Sequence, residues 1–319
     1  MSAGNASRRL VADVGGTNTR LALFNPDTNA LESVTYYTNR DFAHFEDVIA
    51  AWLATLAGGQ PVEACLAVAA PPTGDRVDMI NMDWSFSLSG LAERFGLERL
   101  GFLNDFEANA YALPHLKAEE LATLADGEPG AQVLAVVGPG TGLGGSALVR
   151  TPTGDLARAC EPGHVGLSPA NAFELELFTF LLREHRDLYA ELLLCGPGLV
   201  RLYRSIAAVR GEPAEDLAPE DVSERGLAGD CPICVSALDT FCALMGSFSA
   251  DFVLSNGAYG GLYLAGGIIP AVLSALEQGT FNRRFEEKGL MTPLLEKVPR
   301  YVITGTTTGL TGAAHAPLA

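Results

Sequence analysis

Two glycine runs and a few polar side chains are the parts of this 319-residue chain best suited to chemistry. Asp13-Val-Gly15-Gly16-Thr17-Asn18-Thr19-Arg20 and Gly138-Pro-Gly140-Thr141-Gly142-Leu-Gly144-Gly145 each place small residues between aliphatic segments. With no side chain in the way, backbone N–H groups can approach an anion closely, and the Thr17 and Thr141 hydroxyls add donors. Two such loops could clamp a polyphosphate, although either one alone is equally an ordinary tight hairpin. Gly140 to Gly145 also fits the G-x-G-x-x-G pattern of dinucleotide sites. That pattern needs glycines that open a helix. Here they lead into Ser146-Ala-Leu-Val-Arg150, which reads as a strand, and the dinucleotide reading is rejected.

Asp105 follows Leu-Gly-Phe-Leu-Asn104, a strand-like stretch, and ligands gather at the carboxyl ends of strands in open α/β sheets. Phosphoryl transfer to an alcohol needs a carboxylate that orients the hydroxyl and takes its proton, a role open to Asp105. The competing reading is a helix cap ahead of Glu107-Ala-Asn-Ala. Glu161-Pro-Gly-His164 and Glu191 could share hydrogen bonds with several hydroxyls of a neutral polyol. Taken singly, Glu191 reads as a solvated helix residue and His164 as a structural histidine. His44, His115, His185 and His315 have no such neighbours and are given no role.

Composition is compatible with that chemistry. Lys and Arg number 21 against 38 Asp and Glu, a net charge of −17, which opposes nucleic acid and anionic membranes. No secretory segment is expected at the N-terminus, and no stretch is expected to approach the roughly 20 apolar residues of a membrane span. Six scattered cysteines then imply reduced thiols and a cytoplasmic location. Cys231-Pro-Ile-Cys234 has metal-ligand spacing, but no second pair or nearby histidine completes four ligands, so thiols on a packed helix are preferred.

The elements that must carry these groups follow from periodicity. LVADV and RLALF flank the first glycine turn as a hairpin, LESVTYYT adds a third strand, DFAHFEDVIAAWLATL has helical spacing, and ACLAVAA is a buried strand. LERLGFLNDF gives a further strand, with a helix expected from about Glu107 to Ala112 and Pro114 stopping or bending it. AQVLAVVG, SALVRT and LARAC repeat the arrangement around the second glycine turn. FELELFTFLLREHR, GPGLVRLYRSIAAVR and the apolar SALDTFCALMGSFSADFVLS read as helices. GGLYLAGGI reads as strand and glycine turn, and YVITG as the last strand. EPAEDLAPED, acidic with two prolines, is expected to be a surface loop.

VADVGGTNTRLAL, PPTGD, INMDW, FLNDFEANAYALP, GPGTGLG, EPGH, CGPGLVRLYR, ERGLA and GGLYLAGGIIP, in this order over nearly the whole chain, resemble the bacterial glucokinases of the hexokinase, actin and heat-shock chaperone superfamily. The resemblance implies that Asn104 and Asp105 hold the sugar, with Asp105 facing the reactive hydroxyl. It implies that Glu161, His164 and Glu191 bind the other hydroxyls, with Asn81 nearby. It places phosphates at Asp13, Gly15, Gly16, Thr17 and the adjoining Asn18, and at Gly140, Thr141 and Gly142. Gly266 and Gly267 match the adenosine-side turn. No protein group ligates the metal directly, Asp13 acting on Mg2+ through water. Glucose and Mg·ATP are the implied partners, with ATP and Mg2+ as cofactors.

By the same resemblance the chain folds as two ribonuclease H-like (actin-like ATPase) α/β domains around a central cleft, in a homodimer. The expected division is a smaller domain, 1–113, completed by 305–319, and a larger one, 114–304. Pro162 departs from the family, whose members have glycine there, and so does the C-terminal TGTTTGLTGAAH. Val165-Gly-Leu-Ser-Pro-Ala lacks the cysteines of related zinc-bearing sugar kinases. Transfer to another hexose is the alternative activity. A sugar-sensing regulator on this fold would need a DNA-binding extension for which the stretch before Asp13 leaves no room, and an actin-like polymer would leave Glu161, His164 and Glu191 unexplained.

Overall fold

The computed structural model describes residues 8–57, 59–70, 74–79, 82–128, 130 and 132–318. Asn81 lies outside them. The chain divides into two compact units, Met1–Leu116 with Thr306–Ala319, and Lys117–Gly305.

The first unit begins with aliphatic strands that the Gly15–Gly16 turn folds back on each other. β1 (Arg9–Val14) pairs antiparallel with β2 (Asn18–Asn25), which pairs with β3 (Ala30–Thr38). β4 (Glu63–Val68) lies parallel to β1, completely buried from Ala64 onward. The small ribbon of β5 (Arg76–Asp78) and β6 (Ser85–Ser87) follows, and β7 (Arg99–Asn104) then joins β4 in parallel. The sheet order is β3-β2-β1-β4-β7. Leu10, Leu21, Leu66, Phe45 and Trp52 are buried in its core.

The second unit repeats this plan. β8 (Leu121–Ala125) is followed by β9 (Val133–Pro139), β10 (Leu143–Thr151) and β11 (Gly154–Arg158), an antiparallel meander around the second glycine turn. β12 (Leu262–Leu264) and β13 (Arg300–Ile303) add in parallel, giving the order β11-β10-β9-β12-β13-β8. The first five positions reproduce the order of the first sheet, hairpin then third strand on one side and two parallel strands on the other. β10 begins at Leu143, so Gly144 and Gly145 are strand residues, as the rejection of a dinucleotide site requires.

Several expectations are corrected. The helix after β7 starts at Asp105, two residues early, because Asn104 caps it: its Oδ1 accepts the Phe106 N–H at 2.9 Å and Glu107 returns a bond to the Asn104 N–H at 3.0 Å. The acidic loop ends before Pro219, which opens helix Pro219–Ala228 at the position where a missing N–H costs nothing. Pro232–Asn256 is, by length and composition, a helix able to cross a bilayer, contrary to the sequence expectation. Yet 78% of its most apolar window is buried inside the protein, so it is a core helix. Cys231 caps its start, its sulfur accepting the Cys234 N–H at 3.3 Å. The C-terminal Thr308–His315 forms a buried helix against β1 and helix Asp105–Ala112.

Candidate active site

On the first unit, Asp13 is the next-to-last residue of β1, just ahead of Val14 and the glycine turn. Its carboxylate is 2.8 Å from Nη1 of Arg20 across the hairpin. Burial pushes the Asp13 carboxyl above its usual range, and the Arg20 charge and hydrogen bond act against that shift. The turn is closed by the Gly15 N–H donating to the Asn18 carbonyl at 3.0 Å. Asn39, buried at 2% exposure, fixes it from outside. Its Nδ2 donates to the Gly15 carbonyl at 2.8 Å, its Oδ1 accepts from Thr19 at 2.8 Å, and its N–H donates to the Thr17 carbonyl at 2.9 Å. Sequence reasoning missed Asn39, since nothing local marks an asparagine that acts on a turn more than 20 residues earlier. Gly309 packs on Asp13: a Cβ there would stand 2.8 Å from its Cγ.

Asp105 occupies the first position of its helix, at the carboxyl end of β7, and its Oδ1 accepts the Phe106 N–H at 3.0 Å. The capping duty imagined for it falls on Asn104.

On the second unit, Glu191 is no solvated helix residue. It sits in the short helix Ala190–Leu193, and its Oε2 accepts the Leu143 N–H at 2.8 Å. Glycine is required at Gly163 because a Cβ would overlap the Leu143 carbonyl, whereas at Gly142 a Cβ would come 2.5 Å from Glu191 Oε2 and oblige that carboxylate to shift. The segment after His164 runs alongside: Gly166 bridges Tyr189, and the Ala190 N–H donates to the Val165 carbonyl at 2.8 Å. The His164 ring stacks on Tyr189 at 5.4 Å between centroids. Glu161 precedes the turn Pro162–His164 and is exposed, with φ −118° and ψ 69°. That φ suits a residue before proline, while ψ falls short of the extended values proline favours, because the 3-10 turn starts at once.

The second glycine turn and the start of helix Gly196–Arg210 meet, the Gly196 N–H donating to the Gly140 carbonyl at 2.9 Å. A cavity of about 660 Å³ opens there, lined by Gly140, Thr141, Pro197, Pro219, Glu220 and Gly267 among others. Gly266, with φ +89°, needs to be glycine for backbone reasons and because a Cβ would overlap the Pro139 carbonyl. Gly140 and Gly267 differ: neither has positive φ, and a Cβ on either meets nothing within 4 Å. The protein's own packing therefore does not demand glycine at these two positions, and the space above them is open to a ligand. Pro219, Glu220 and Ser223 of the cavity were missed in the sequence because the stretch ahead of them reads as loop.

Among the described residues no three His, Cys, Asp or Glu side chains gather as a metal site. A single carboxylate, Asp13, beside a phosphate-sized turn suits a magnesium ion held mainly by substrate phosphates and water. The donor set therefore fits that ion.

Both units are mixed α/β and carry a glycine turn within an antiparallel hairpin, β1–β2 in the first and β9–β10 in the second, the fold class of the sugar kinases of known structure that the chain matches. The family model described as Glucokinase matches residues 10–318. The chain is 41% identical over 309 residues to the glucokinase of Chromobacterium violaceum, covering 96% of this chain and 88% of that one. It is 38% identical over 310 residues to the glucokinase of Saccharophagus degradans, covering 96% of each. The crystal structure of a glucokinase from an Antarctic psychrotroph superposes with a TM-score of 0.90 at 36% identity, covering 97% of this chain and 98% of that one. This chain belongs to the glucokinase family.

Proposed function

We propose that this protein transfers the γ-phosphoryl group of ATP to the 6-hydroxyl of glucose, giving glucose 6-phosphate and ADP. The observation that carries the reading is the open space above Gly140 and Gly267, two glycines of one cavity that the fold itself does not require. A nucleotide lying against bare backbone gives those glycines a reason.

In this reading the N–H groups of Gly16, Thr17 and Asn18, and of Thr141 and Gly142, donate to the phosphate oxygens, while Gly15, its own N–H closing the turn, leaves room for their approach. Gly266 and Gly267 let the nucleoside lie flat. When bound, Mg2+ supplies neutralisation of phosphate charge, and Asp13 is the residue that holds its water. Glu191, His164 and Glu161 accept and donate hydrogen bonds to the sugar hydroxyls, joined by Asn104 and Asn81. Asp105 orients the 6-hydroxyl and takes its proton late, once the new P–O bond is forming, because an alcohol is a far weaker acid than a carboxyl.

Each of the two units is read as a ribonuclease H-like, actin-like ATPase domain, and the protein as a cytoplasmic homodimer. The six free cysteines accord with a reducing compartment. Excess negative charge argues against nucleic acid and membrane partners.

The test couples ADP release to an optical readout with glucose, fructose, mannose, galactose and N-acetylglucosamine in parallel. Glucose should give the highest kcat/KM. A higher value with another sugar reassigns the substrate, and ADP release indifferent to every sugar overturns the proposal.

A further inference from the structure

A second cavity of about 670 Å³ lies on the Lys117–Gly305 unit, and neither the phosphate loops nor the sugar loop uses it. Its walls include Phe180, His185, Val200, Arg201, Arg204 and Ser205. In a chain of net charge −17, a recess with two guanidinium groups and an imidazole against one carboxylate, Glu184, runs against the overall balance. Arg201 and Arg204 are three residues apart on helix Gly196–Arg210, and so neighbours on one face. Arg201 is held in place by a hydrogen bond from Nη1 to the Leu192 carbonyl, which leaves its other N–H groups to serve a ligand. Arg204 is 2.6 Å from Asp216, whose side chain is 96% exposed. A surface pair of this kind contributes little, so a stronger acceptor can replace it. Ser205, 4% exposed, turns a further polar side chain to the cavity lining.

We propose that this recess is a binding site for a small phosphomonoester, with the phosphoryl group between Arg201 and Arg204 and the organic part against Phe180 and Val200. Paired guanidinium groups match the geometry and charge of a phosphate dianion, the Ser205 hydroxyl supplies a further donor, and the Phe180–Val200–Ala208 wall gives the ester group an apolar surface. Pro197 and Pro219 line both this cavity and the one at Gly140 and Gly267. An occupant here consequently alters the KM for ATP, a consequence that rests on the nucleotide reading above, whereas the site itself does not.

Phenyl phosphate is a suitable probe, since it is neither a sugar nor a nucleotide. Calorimetric titration of the full chain, with glucose and a non-hydrolysable ATP analogue at saturating concentration, should show one saturable site. Phenyl phosphate should bind more tightly than inorganic phosphate. Arg204→Ala should weaken binding at least about tenfold, the usual scale for a lost charged hydrogen bond, and Asp216→Ala, which frees Arg204, should bind as tightly as the parent or more so. Circular dichroism confirms that each variant is folded. The proposal is overturned by non-saturable uptake, by undiminished binding in folded Arg204→Ala, by loss in Asp216→Ala, or by binding that vanishes when the catalytic ligands are present. ADP release without phenyl phosphate, measured in parallel, reports separately on the kinase reading.

Discussion

The Glu191 carboxylate accepts the backbone N–H of Leu143 at 2.8 Å, so a side chain assigned to the sugar also anchors the glycine turn assigned to phosphate. In the proposed function, one oxygen atom thus links the two halves of the chemistry on the second unit. Gly142 lies so close that a Cβ there would come 2.5 Å from the same oxygen.

This link predicts that two substitutions at Glu191 separate. Glu191→Gln keeps an acceptor for Leu143 but loses the charge. Its KM for glucose should rise about tenfold, as expected for a weakened charged hydrogen bond, with KM for ATP nearly unchanged. Glu191→Ala removes both contacts, and KM should rise for both substrates. Steady-state kinetics with each substrate varied in turn provides the check, and equal effects of the two variants on ATP would break the link.

Asp105→Asn keeps the size of the side chain and an acceptor for Phe106 but cannot take a proton. Turnover should fall by about 10²–10⁴, the usual cost of losing a general base, while glucose affinity stays within severalfold. A purified Asp105→Asn protein that turns over at half the parent rate would remove Asp105 from the role of base.

Gly312 lies where helix Thr308–His315 crosses helix Asp105–Ala112, and a Cβ there would overlap the Ala108 carbonyl oxygen. Backbone cannot rotate away as a side chain can. Gly312→Ala should destabilise the first unit by about 1–3 kcal/mol, the range for overpacking, and lower Tm by several degrees in a calorimetric scan. Turnover should fall too, because Asp105 starts the displaced helix.

Histidines given no role by the sequence prove to be partners. The rings of His115 and His315 stack at 3.4 Å between centroids, with Phe24 against His315 and the Arg9 guanidinium nearby, donating to the carbonyls of Ala313, Ala314 and Ala316. Burial, then the His115 and Arg9 charges, lower His315 from the ordinary 6.5 to about 4. A histidine depressed on folding binds its proton more readily when unfolded, so stability rises with pH across this window and is lost as pH falls from about 6.5 to about 4. Tm should drop over that range, and His315→Phe should flatten the drop. A variant with an unchanged pH profile would show that other groups carry it.

What the sequence disclosed depended on how local the cause was. Both glycine hairpins and their strands were legible because aliphatic runs and small turn residues specify them within a few positions. Helix Gly196–Arg210 was read residue for residue, since Pro197 marks its start and Gly211, left-handed at φ +71°, ends it. The Thr308–His315 helix was not legible: Thr and Gly are weak helix formers, and close packing of Gly309 on Asp13 and Gly312 on Ala108 is what holds it. Asn39 on the first turn, Glu191 on Leu143 and the His115–His315 stack all join distant positions, so no local pattern announces them. The candidate site residues were recognisable as types and motifs, but the bonds that hold Glu191 and the first turn in place became visible only in the fold.

Pro162 stands in the loop proposed for the sugar, where the family resemblance implies glycine. It is buried at the first position of the turn Pro162–His164, directly after Glu161. Its ring lies over Gly145, where a Cβ would stand 2.9 Å from Pro162 Cγ. The proline therefore acts twice. It fixes φ near −65°, which limits the states open to the loop without sugar, and it presses the turn onto β10. Replacing it with glycine at a compatible φ costs about 0.4–1 kcal/mol through the unfolded and unliganded ensembles, with a further loss from the missing ring contact. Pro162→Gly should therefore weaken glucose binding severalfold in a calorimetric titration. ATP binding and turnover at saturating glucose should stay close to the parent, because Asp105 and both phosphate turns keep their own hydrogen bonds. Equal or tighter glucose binding by the folded glycine variant would mean that the loop gains nothing from being held in place before the sugar arrives.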